Sequence, residues 1–385
     1  MIKRTIIAAI IATMNIPFSN AQVFEIPEKE FVDTLDIEIV DGDPTIPVKV
    51  NNRTCRFLFD TGSNAIYISR ADFPDIKLTG DSTNVVGFES GRRANAIIEK
   101  LQIGSLKFKS IPAIIHKVIA CNFDGIIGYN LLQAGLVAKL QMRDKKLILS
   151  NNLKVFDREK GLRIKLLKEY NYPIFYTEPL SGIKTATMFD TGNPYDFSLS
   201  KYSWENYWKN CNGHIPDGIT KQIVWCNFQT LPKDFWKEVG EETFFRFDDI
   251  KLKSISFRQV TGHLVNIPFS NIGIRFCYDF DVIINAPKNE LIFLTDKKEI
   301  YPETSGVNFR SFSYYGETQQ RISSLNPETE LYKLGARFGD IIKEIDGIKI
   351  DSSETLTKAT SGKKTIHMKL INKKGEKIEA DISRY

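Results

Sequence analysis

One tetrapeptide occurs twice in this chain of 385 residues. Phe-Asp-Thr-Gly stands at 59–62 and again at 189–192, each time after an apolar run and before a small polar residue. Behind each copy come a strand-like stretch, a glycine-containing stretch and a closing hairpin pattern, which ends near 150 in the first half and near 294 in the second. The same order of elements in two stretches of similar length indicates an internal duplication. The sequence therefore predicts two related halves, each with one aspartate.

Two aspartates that are held face to face have a chemistry that a single aspartate lacks. Carboxyl groups that share a proton cannot both ionise cheaply, so one remains an acid while the other is a base, and a water between them can be activated to attack an amide carbonyl. We predict Asp60 and Asp190 as this catalytic pair. The following residues of both copies are predicted to support it, by hydrogen bonds between the copies, close backbone approach and further donors: Thr61, Gly62, Ser63, Thr191, Gly192 and Asn193.

These motifs resemble those of the pepsin-like and retropepsin-like aspartic proteases, over about residues 30–300. The resemblance rests on the two copies and on Ile126-Ile127-Gly128, which matches the element that the family threads beneath the catalytic loop. It implies a mostly β, bilobal acid-protease fold of two β-barrels, with an N-terminal lobe at 22–155 and a C-terminal lobe at 156–297. The sequence departs from the family at Asn193, where a hydroxyl residue is usual, and in a weaker second glycine element, Asn271-Ile272-Gly273.

The resemblance also implies an activity. The chain would be an aspartic endopeptidase that cleaves an extended peptide or protein substrate with an activated water, without a cofactor or a covalent enzyme intermediate. The family covers its cleft with a β-hairpin flap, for which the candidates here are Gly87, Phe88 and Gly91.

The region 304–385 resembles a PDZ domain of the bacterial protease-associated kind. The resemblance rests on the Gly-Ala-Arg-Phe-Gly-Asp-Ile-Ile run at 335–342 and on Ile345-Asp346-Gly347. It implies a small α+β domain that accepts a C-terminal peptide as an added strand and holds its carboxylate on backbone amides. The candidates for that carboxylate-binding loop are Gly306, Val307, Asn308 and Phe309. The alternative is a packing module that only stabilises the rest of the chain.

The first 21 residues have the pattern of a secretory signal peptide. Lys3 and Arg4 precede an apolar stretch at 6–14, and small residues stand at 19–21. We expect an exported protein, periplasmic or extracellular, without a membrane span after removal of the signal. The alternative is a retained N-terminal anchor.

Composition narrows the function classes further. The net charge of +5 is weak and dispersed, so nucleic acid is not expected as a partner. The four histidines are scattered and the five cysteines lack zinc-ligand spacing, so no metal site is predicted. Cys211 and Cys226 could close a loop as a disulfide, whereas Cys55 and Cys277 lie in apolar runs and are expected in the core.

Two other functions compete with the protease. The first is a catalytically inactive exported protein that binds peptides through the PDZ-like groove. The second is a surface glycan-handling or adhesion protein, for which the sequence offers no exposed aromatic platform or further acid pair.

The pattern predicts few helices, at 131–140 and at 202–209.

Overall fold

The computed structural model describes residues 24–40, 43–85, 91–116, 123–180, 183–193, 196–210, 219–225, 241–278, 280–301, 307–314, 317–325, 329–337, 339–360, 363 and 365–383. Strands dominate these residues, and the helices are few and short. This agrees with the alternation of short β-branched and aromatic runs with Gly, Asn and Asp turns.

Six strands of the N-terminal half close into a barrel. The strands of this half are β1 (Val32–Asp36), β2 (Glu38–Val40), β3 (Asp43–Val50), β4 (Arg53–Asp60), β5 (Tyr67–Ser69), β6 (Lys77–Val85), β7 (Gly91–Ile103), β8 (Leu106–His116), β9 (Gly125–Gly128), β10 (Val137–Gln141) and β11 (Lys146–Ser150). The ring runs β3-β4-β9-β5-β8-β7 and closes where β7 pairs with β3. A short helix, α1 (Asn130–Gln133), follows β9.

The second half repeats this arrangement. Its strands are β12 (Leu162–Lys165), β13 (Ile174–Leu180), β14 (Ile183–Asp190), β15 (Phe197–Ser200), β16 (Ile219–Trp225), β17 (Glu241–Leu252), β18 (Ile255–Val265), β19 (Ser270–Gly273), β20 (Asp281–Asn285), β21 (Glu290–Leu294) and β22 (Glu299–Ile300). The ring β17-β13-β14-β19-β15-β18 closes through the β17–β18 pair. Helix α2 (Lys201–Asn210) follows β15, and a 3-10 helix (Ile274–Tyr278) follows β19. The protein is therefore mostly β and bilobal, with one six-stranded barrel in each half.

A six-stranded sheet joins the two halves. Its order is β1-β11-β10-β20-β21-β12, so each half contributes three strands and the halves meet where β10 pairs with β20. Val137, Ile283 and Ile292 pack together there as a small apolar cluster. The mirrored strand order is the structural counterpart of the repeat in the sequence.

One apolar core runs through both halves. It contains buried residues from Phe24 to Ile300. Phe59 and Phe189, which precede the two aspartates, are among its fully buried aromatic side chains, and the Phe189 ring lies 6.1 Å from that of Phe293. Large aromatic groups contribute much of the burial energy of such a core. The backbone segment that precedes each aspartate is therefore fixed in position by its buried phenylalanine.

The helix predicted at 131–140 is confirmed only at its start, and the rest of the prediction is wrong. Helix α1 ends at Gln133, and β10 begins at Val137. Gly135 between them has a positive φ of 124°, which ends a helix, and the next residues are needed as the central strand of the joining sheet. The helix expected at 202–209 is present as Lys201–Asn210.

The C-terminal module has its own sheet and core. Its elements are β23 (Val307–Tyr314), β24 (Glu317–Leu325), α3 (Glu330–Lys333), β25 (Ile341–Ile345), β26 (Ile348–Lys349), α4 (Ser353–Thr360), β27 (Thr365–Ile371) and β28 (Lys377–Ser383). The sheet order is β23-β24-β25-β27-β28, with β26 paired to β25 and β23 at one edge. A second apolar cluster, which runs from Ile322 to Ile382, fills this module.

The described residues include two of the five cysteines. Cys55 and Cys277 are buried in the core, whereas Cys121, Cys211 and Cys226 lie outside the described residues. In the described residues, no helix is both long and apolar enough to cross a membrane.

Candidate active site

Each aspartate stands at the end of a barrel strand. Asp60 is the last residue of β4 and Asp190 the last residue of β14. Each of these strands runs parallel to the strand of the glycine element, and the register places Asp60 beside Gly128 and Asp190 beside Gly273. The two halves therefore present their motifs in the same way.

The two threonines join the motifs across the boundary between the halves. The backbone N–H of Thr61 donates to Thr191 Oγ1, and that of Thr191 donates to Thr61 Oγ1, both at 3.0 Å. The Thr61 hydroxyl donates to the carbonyl oxygen of Phe189 at 2.6 Å, and the Thr191 hydroxyl to that of Phe59 at 2.5 Å. Both threonines are fully buried, so these four bonds fix the relative position of the two loops.

The glycines leave the space that the carboxyl groups occupy. The N–H of Gly62 donates to Asp60 Oδ1 at 2.8 Å, and the N–H of Gly192 donates to Asp190 Oδ1 at 3.0 Å. A Cβ on Gly62 would stand 2.5 Å from Asp190 Cγ, and one on Gly192 would stand 2.5 Å from Asp60 Cγ. Each glycine thus faces the aspartate of the other half, and any side chain there would displace it.

The two carboxyl groups form one titrating pair. Burial raises the pKa of Asp60, and its side-chain hydrogen bond with Asp190 opposes that rise. Burial also raises the pKa of Asp190 well above its usual value, and the charge of Asp60 raises it further. Both residues keep part of their surface exposed. The pair can therefore hold one proton and one negative charge while a water reaches it.

The residues after each motif support it through the backbone. The N–H groups of Ser63 and Asn193 lie close enough to lower the pKa of Asp60 and Asp190 respectively, against the effect of burial. Their side chains have other partners. The Ser63 hydroxyl donates to the carbonyl oxygen of Ala65 at 3.1 Å, and Asn193 Nδ2 donates to Ser198 Oγ at 2.9 Å.

Sequence reasoning did not assign a role to Asn271. Its Nδ2 donates to Asp190 Oδ2 at 2.7 Å, and the residue is buried. In the sequence, Asn271 appeared only as part of the second glycine element, which matches the family pattern less well than the first. A residue-by-residue alignment of the two halves would have drawn attention to it, because it places polar Asn271 opposite apolar Ile126.

Tyr172 also lies near the pair and was not singled out from the sequence. Burial, and then the negative charges of Asp60 and Asp190, raise its pKa to about 12, so its hydroxyl is a neutral donor at ordinary pH. The next residue, Pro173, accepts a hydrogen bond from the N–H of Phe189 at 3.0 Å. No motif in the sequence pointed to this position.

The other predicted site residues are placed only in part. Gly87 and Phe88 lie outside the described residues, whereas Gly91 begins β7, pairs with Val85 of β6 and has a φ of 117°. Gly306 also lies outside them. Val307, Asn308 and Phe309 begin the edge strand β23. No group of three or more potential metal ligands occurs among the residues that the structure describes.

Residues 46–131 match the model of a family described as aspartyl protease. The matched segment includes the first motif copy and the first glycine element. Among solved structures, the chain is similar to the aspartic proteinase from Irpex lacteus, with a TM-score of 0.42 and 14% sequence identity, over 69% of this chain and 97% of that chain. No curated protein sequence matches the chain.

Proposed function

We propose that the protein is an exported aspartic endopeptidase. The observation that carries this proposal is the mutual placement of Asp60 and Asp190, whose carboxyl groups share a hydrogen bond at the boundary between two barrels. Partly exposed acids of this kind, with pKa values raised by their surroundings, are candidates for general acid and base. The aspartyl protease match over 46–131 supports the same chemistry.

The proposed reaction follows from the shared proton. The ionised carboxylate takes a proton from a water, whose oxygen attacks the carbonyl carbon of the peptide bond. The protonated carboxyl gives its proton to the carbonyl oxygen. When the tetrahedral intermediate collapses, the C–N bond breaks and the leaving nitrogen receives a proton from the pair. One hydroxyl of the intermediate gives its proton back to the pair as it becomes the carbonyl of the product acid, so the pair again holds one proton. The glycine N–H groups keep the carboxyl groups in place, and no covalent bond to the enzyme forms.

The substrate class follows from the shape of such a site. An extended peptide or protein segment that lies between the two barrels would bring its backbone carbonyl to the pair. Strands β6 and β7 pair with each other and lie on either side of the flap candidates Gly87 and Phe88, and the candidate Gly91 begins β7. A hairpin flap in this segment would cover the substrate and exclude water.

The C-terminal module is proposed to bind a peptide C-terminus or a partner. The support is that the module is small and of α+β type, and that its strand β23 lies at an edge of the sheet, where an added strand could pair. The pattern of residues 1–21 supports export to the periplasm or beyond.

The decisive experiment compares purified wild-type protein with Asp60→Asn and Asp190→Asn on a peptide library between pH 3 and 7. We expect cleavage by the wild type and a loss of about 10²–10⁴-fold or more in each variant, because each variant lacks an acid or a base. Asp157→Asn is the matched control, since Asp157 is an exposed partner of Lys288 and should not affect cleavage.

Two outcomes would contradict the proposal. Unchanged cleavage in both aspartate variants would exclude the pair as the catalytic centre. Absence of cleavage in the wild type, together with binding of C-terminal peptides to the module, would favour the inactive peptide-binding protein.

A further inference from the structure

The two halves differ in polarity directly beside the aspartates. In the first half, the register places Ile126 beside Tyr67, and Tyr67 beside Ile114. In the second half, all three residues of the corresponding row are polar, namely Asn271, Ser198 and His263. The carboxyl groups are thus alike in backbone support but different in their side-chain neighbours.

Asn271 is the member of this row that contacts the pair. Its Nδ2 lies 2.7 Å from Asp190 Oδ2, while Asp190 Oδ1 already accepts from the N–H of Gly192. Both oxygens of Asp190 therefore receive a donor from the second half. For the carboxylate of Asp60, the side-chain partner is Asp190 itself, and the position corresponding to Asn271 is apolar Ile126.

The rest of the row is a buried hydrogen-bonded chain. Ser198 Oγ accepts from Asn193 Nδ2 at 2.9 Å and lies 3.4 Å from His263 Nε2. Asn193 in turn anchors the 3-10 helix after the glycine element, because its carbonyl oxygen accepts from the N–H of Ile274 at 2.9 Å. These contacts hold β15 and β19 in a defined relative position, and with them the side chain of Asn271.

We propose that Asn271 is a positioning residue of the aspartate pair, whose amide holds Asp190 in place and favours the singly charged, asymmetric form of the pair. This inference rests on the proposed function. An N–H donor stabilises a carboxylate more than a carboxylic acid, so it lowers the pH at which the pair first ionises. Burial acts in the opposite direction, and Asn271 offsets part of its effect.

Other titratable or charged groups lie on the elements packed around β19, and they define the controls. They are Asp60, Tyr172, His263, Asp196 and Arg275. Burial lowers the pKa of His263 to about 3 and raises that of Tyr172 to about 12, so Tyr172 stays neutral in acid and His263 stays neutral at pH values well above 3. Asp196 is a further buried carboxyl group, and Asp196→Asn tests its contribution separately.

The experiment measures kcat/KM against pH for the wild type and Asn271→Ile, which gives the second half the residue of the first. We expect the acidic limb to move upward by about one pH unit, because a hydrogen bond to a charged group has been removed. Asn271→Ala, which adds no bulk, should give the same shift. Asn285→Ala is the matched control, since Asn285 is also buried but donates to the carbonyl oxygen of Leu153.

A second readout does not require activity. The free energy of unfolding lost by Asn271→Ala should be larger above the ionisation of the pair than below it, whereas the loss in Asn285→Ala should not vary with pH. If the wild type cleaves but neither Asn271 variant moves the limb, the inference is wrong and the proposed function stands. A limb that moves equally in Asp196→Asn would assign the effect to Asp196. If the wild type does not cleave, the stability readout alone decides the inference.

Discussion

At the scale of single residues, the threonines of the two motifs have a structural rather than a chemical task. Thr191 donates its hydroxyl to the carbonyl oxygen of Phe59 and accepts from the N–H of Thr61. Valine has nearly the same shape but makes neither bond, so Thr191→Val would leave two buried backbone groups without a partner. We expect a loss of about 2–4 kcal/mol in the free energy of unfolding, measured in urea.

Thr185→Val is the control for this prediction. Thr185 is also buried on β14, and its hydroxyl makes no hydrogen bond among the described residues. Its replacement should leave stability unchanged or raise it slightly, since burying a hydroxyl without a partner is unfavourable. Equal losses in the two variants would mean that the bonds between the motifs contribute little.

His263 gives the protein a predicted dependence on pH. It is buried, and burial lowers its pKa to about 3 from an ordinary 6.5. Below pH 6.5 the unfolded chain therefore binds a proton at His263 that the folded chain does not bind. The contribution of this site to stability is complete above pH 6.5 and falls as the pH drops toward 3. The slope of unfolding free energy against pH should reach about 1.4 kcal/mol per unit.

The matching variant is His263→Leu, followed by urea unfolding at several pH values. Its stability curve should be flatter than that of the wild type between pH 6 and 4, whatever its absolute stability. Parallel curves for the two proteins would show that His263 is protonated in the fold.

At the scale of elements, β9 serves as a support beneath the first motif. A Cβ on Gly128 would stand 2.6 Å from the carbonyl oxygen of Ser63 and 2.7 Å from that of Ala65, both of them backbone atoms that cannot rotate away. The next residue, Tyr129, donates its N–H to the carbonyl oxygen of Ser63 at 2.6 Å. The strand and the loop therefore fit together only with glycine at this position.

Gly128→Ala should consequently displace the loop that carries Asp60. We expect kcat to fall about 10–100-fold, since small misplacements of catalytic groups have effects of this size. Gly375→Ala in the C-terminal module is the control, because Gly375 has a φ of 82° and nothing within 4 Å of a Cβ. Both variants should lose stability, but only Gly128→Ala should lose kcat. Equal kcat values in the two variants would show that β9 does not support the loop that carries Asp60.

The repeat in the sequence predicted the fold well for a physical reason. A short motif with Asp, Thr and Gly at the end of an apolar strand has few roles other than a tight, buried loop, and its recurrence implies pseudo-symmetry. The prediction failed at 131–140, where a run of apolar residues fits a buried helix and a buried strand equally well. Tyr172 reaches the pair only through three-dimensional packing, and no motif pointed to it. Asn271 lies in the second glycine element, where the sequence showed a departure from the first half but not the contact with Asp190.

At the scale of the whole molecule, the two barrels and the C-terminal module are organised differently. The barrels share one apolar core and a joining sheet in which β10 pairs with β20, so neither half can unfold without exposing the other. The module has a separate apolar cluster from Ile322 to Ile382. Its contacts with the barrels place α4 beside β2 and β24 beside β16. Cooperativity follows shared cores, so the two barrels form one folding unit and the module another.

Calorimetry should therefore resolve two transitions in the full chain. The larger should have roughly three to four times the enthalpy of the smaller, because unfolding enthalpy scales with the number of residues. A shortened chain that ends at Tyr301, after β22, should keep the larger transition, with its midpoint lowered by a few degrees at most, and should keep any peptide cleavage. The isolated segment 307–385 should show the smaller one. A single transition in the full chain, lost altogether on shortening, would mean that the module belongs to the folding unit of the barrels, and its role would then be packing rather than recognition.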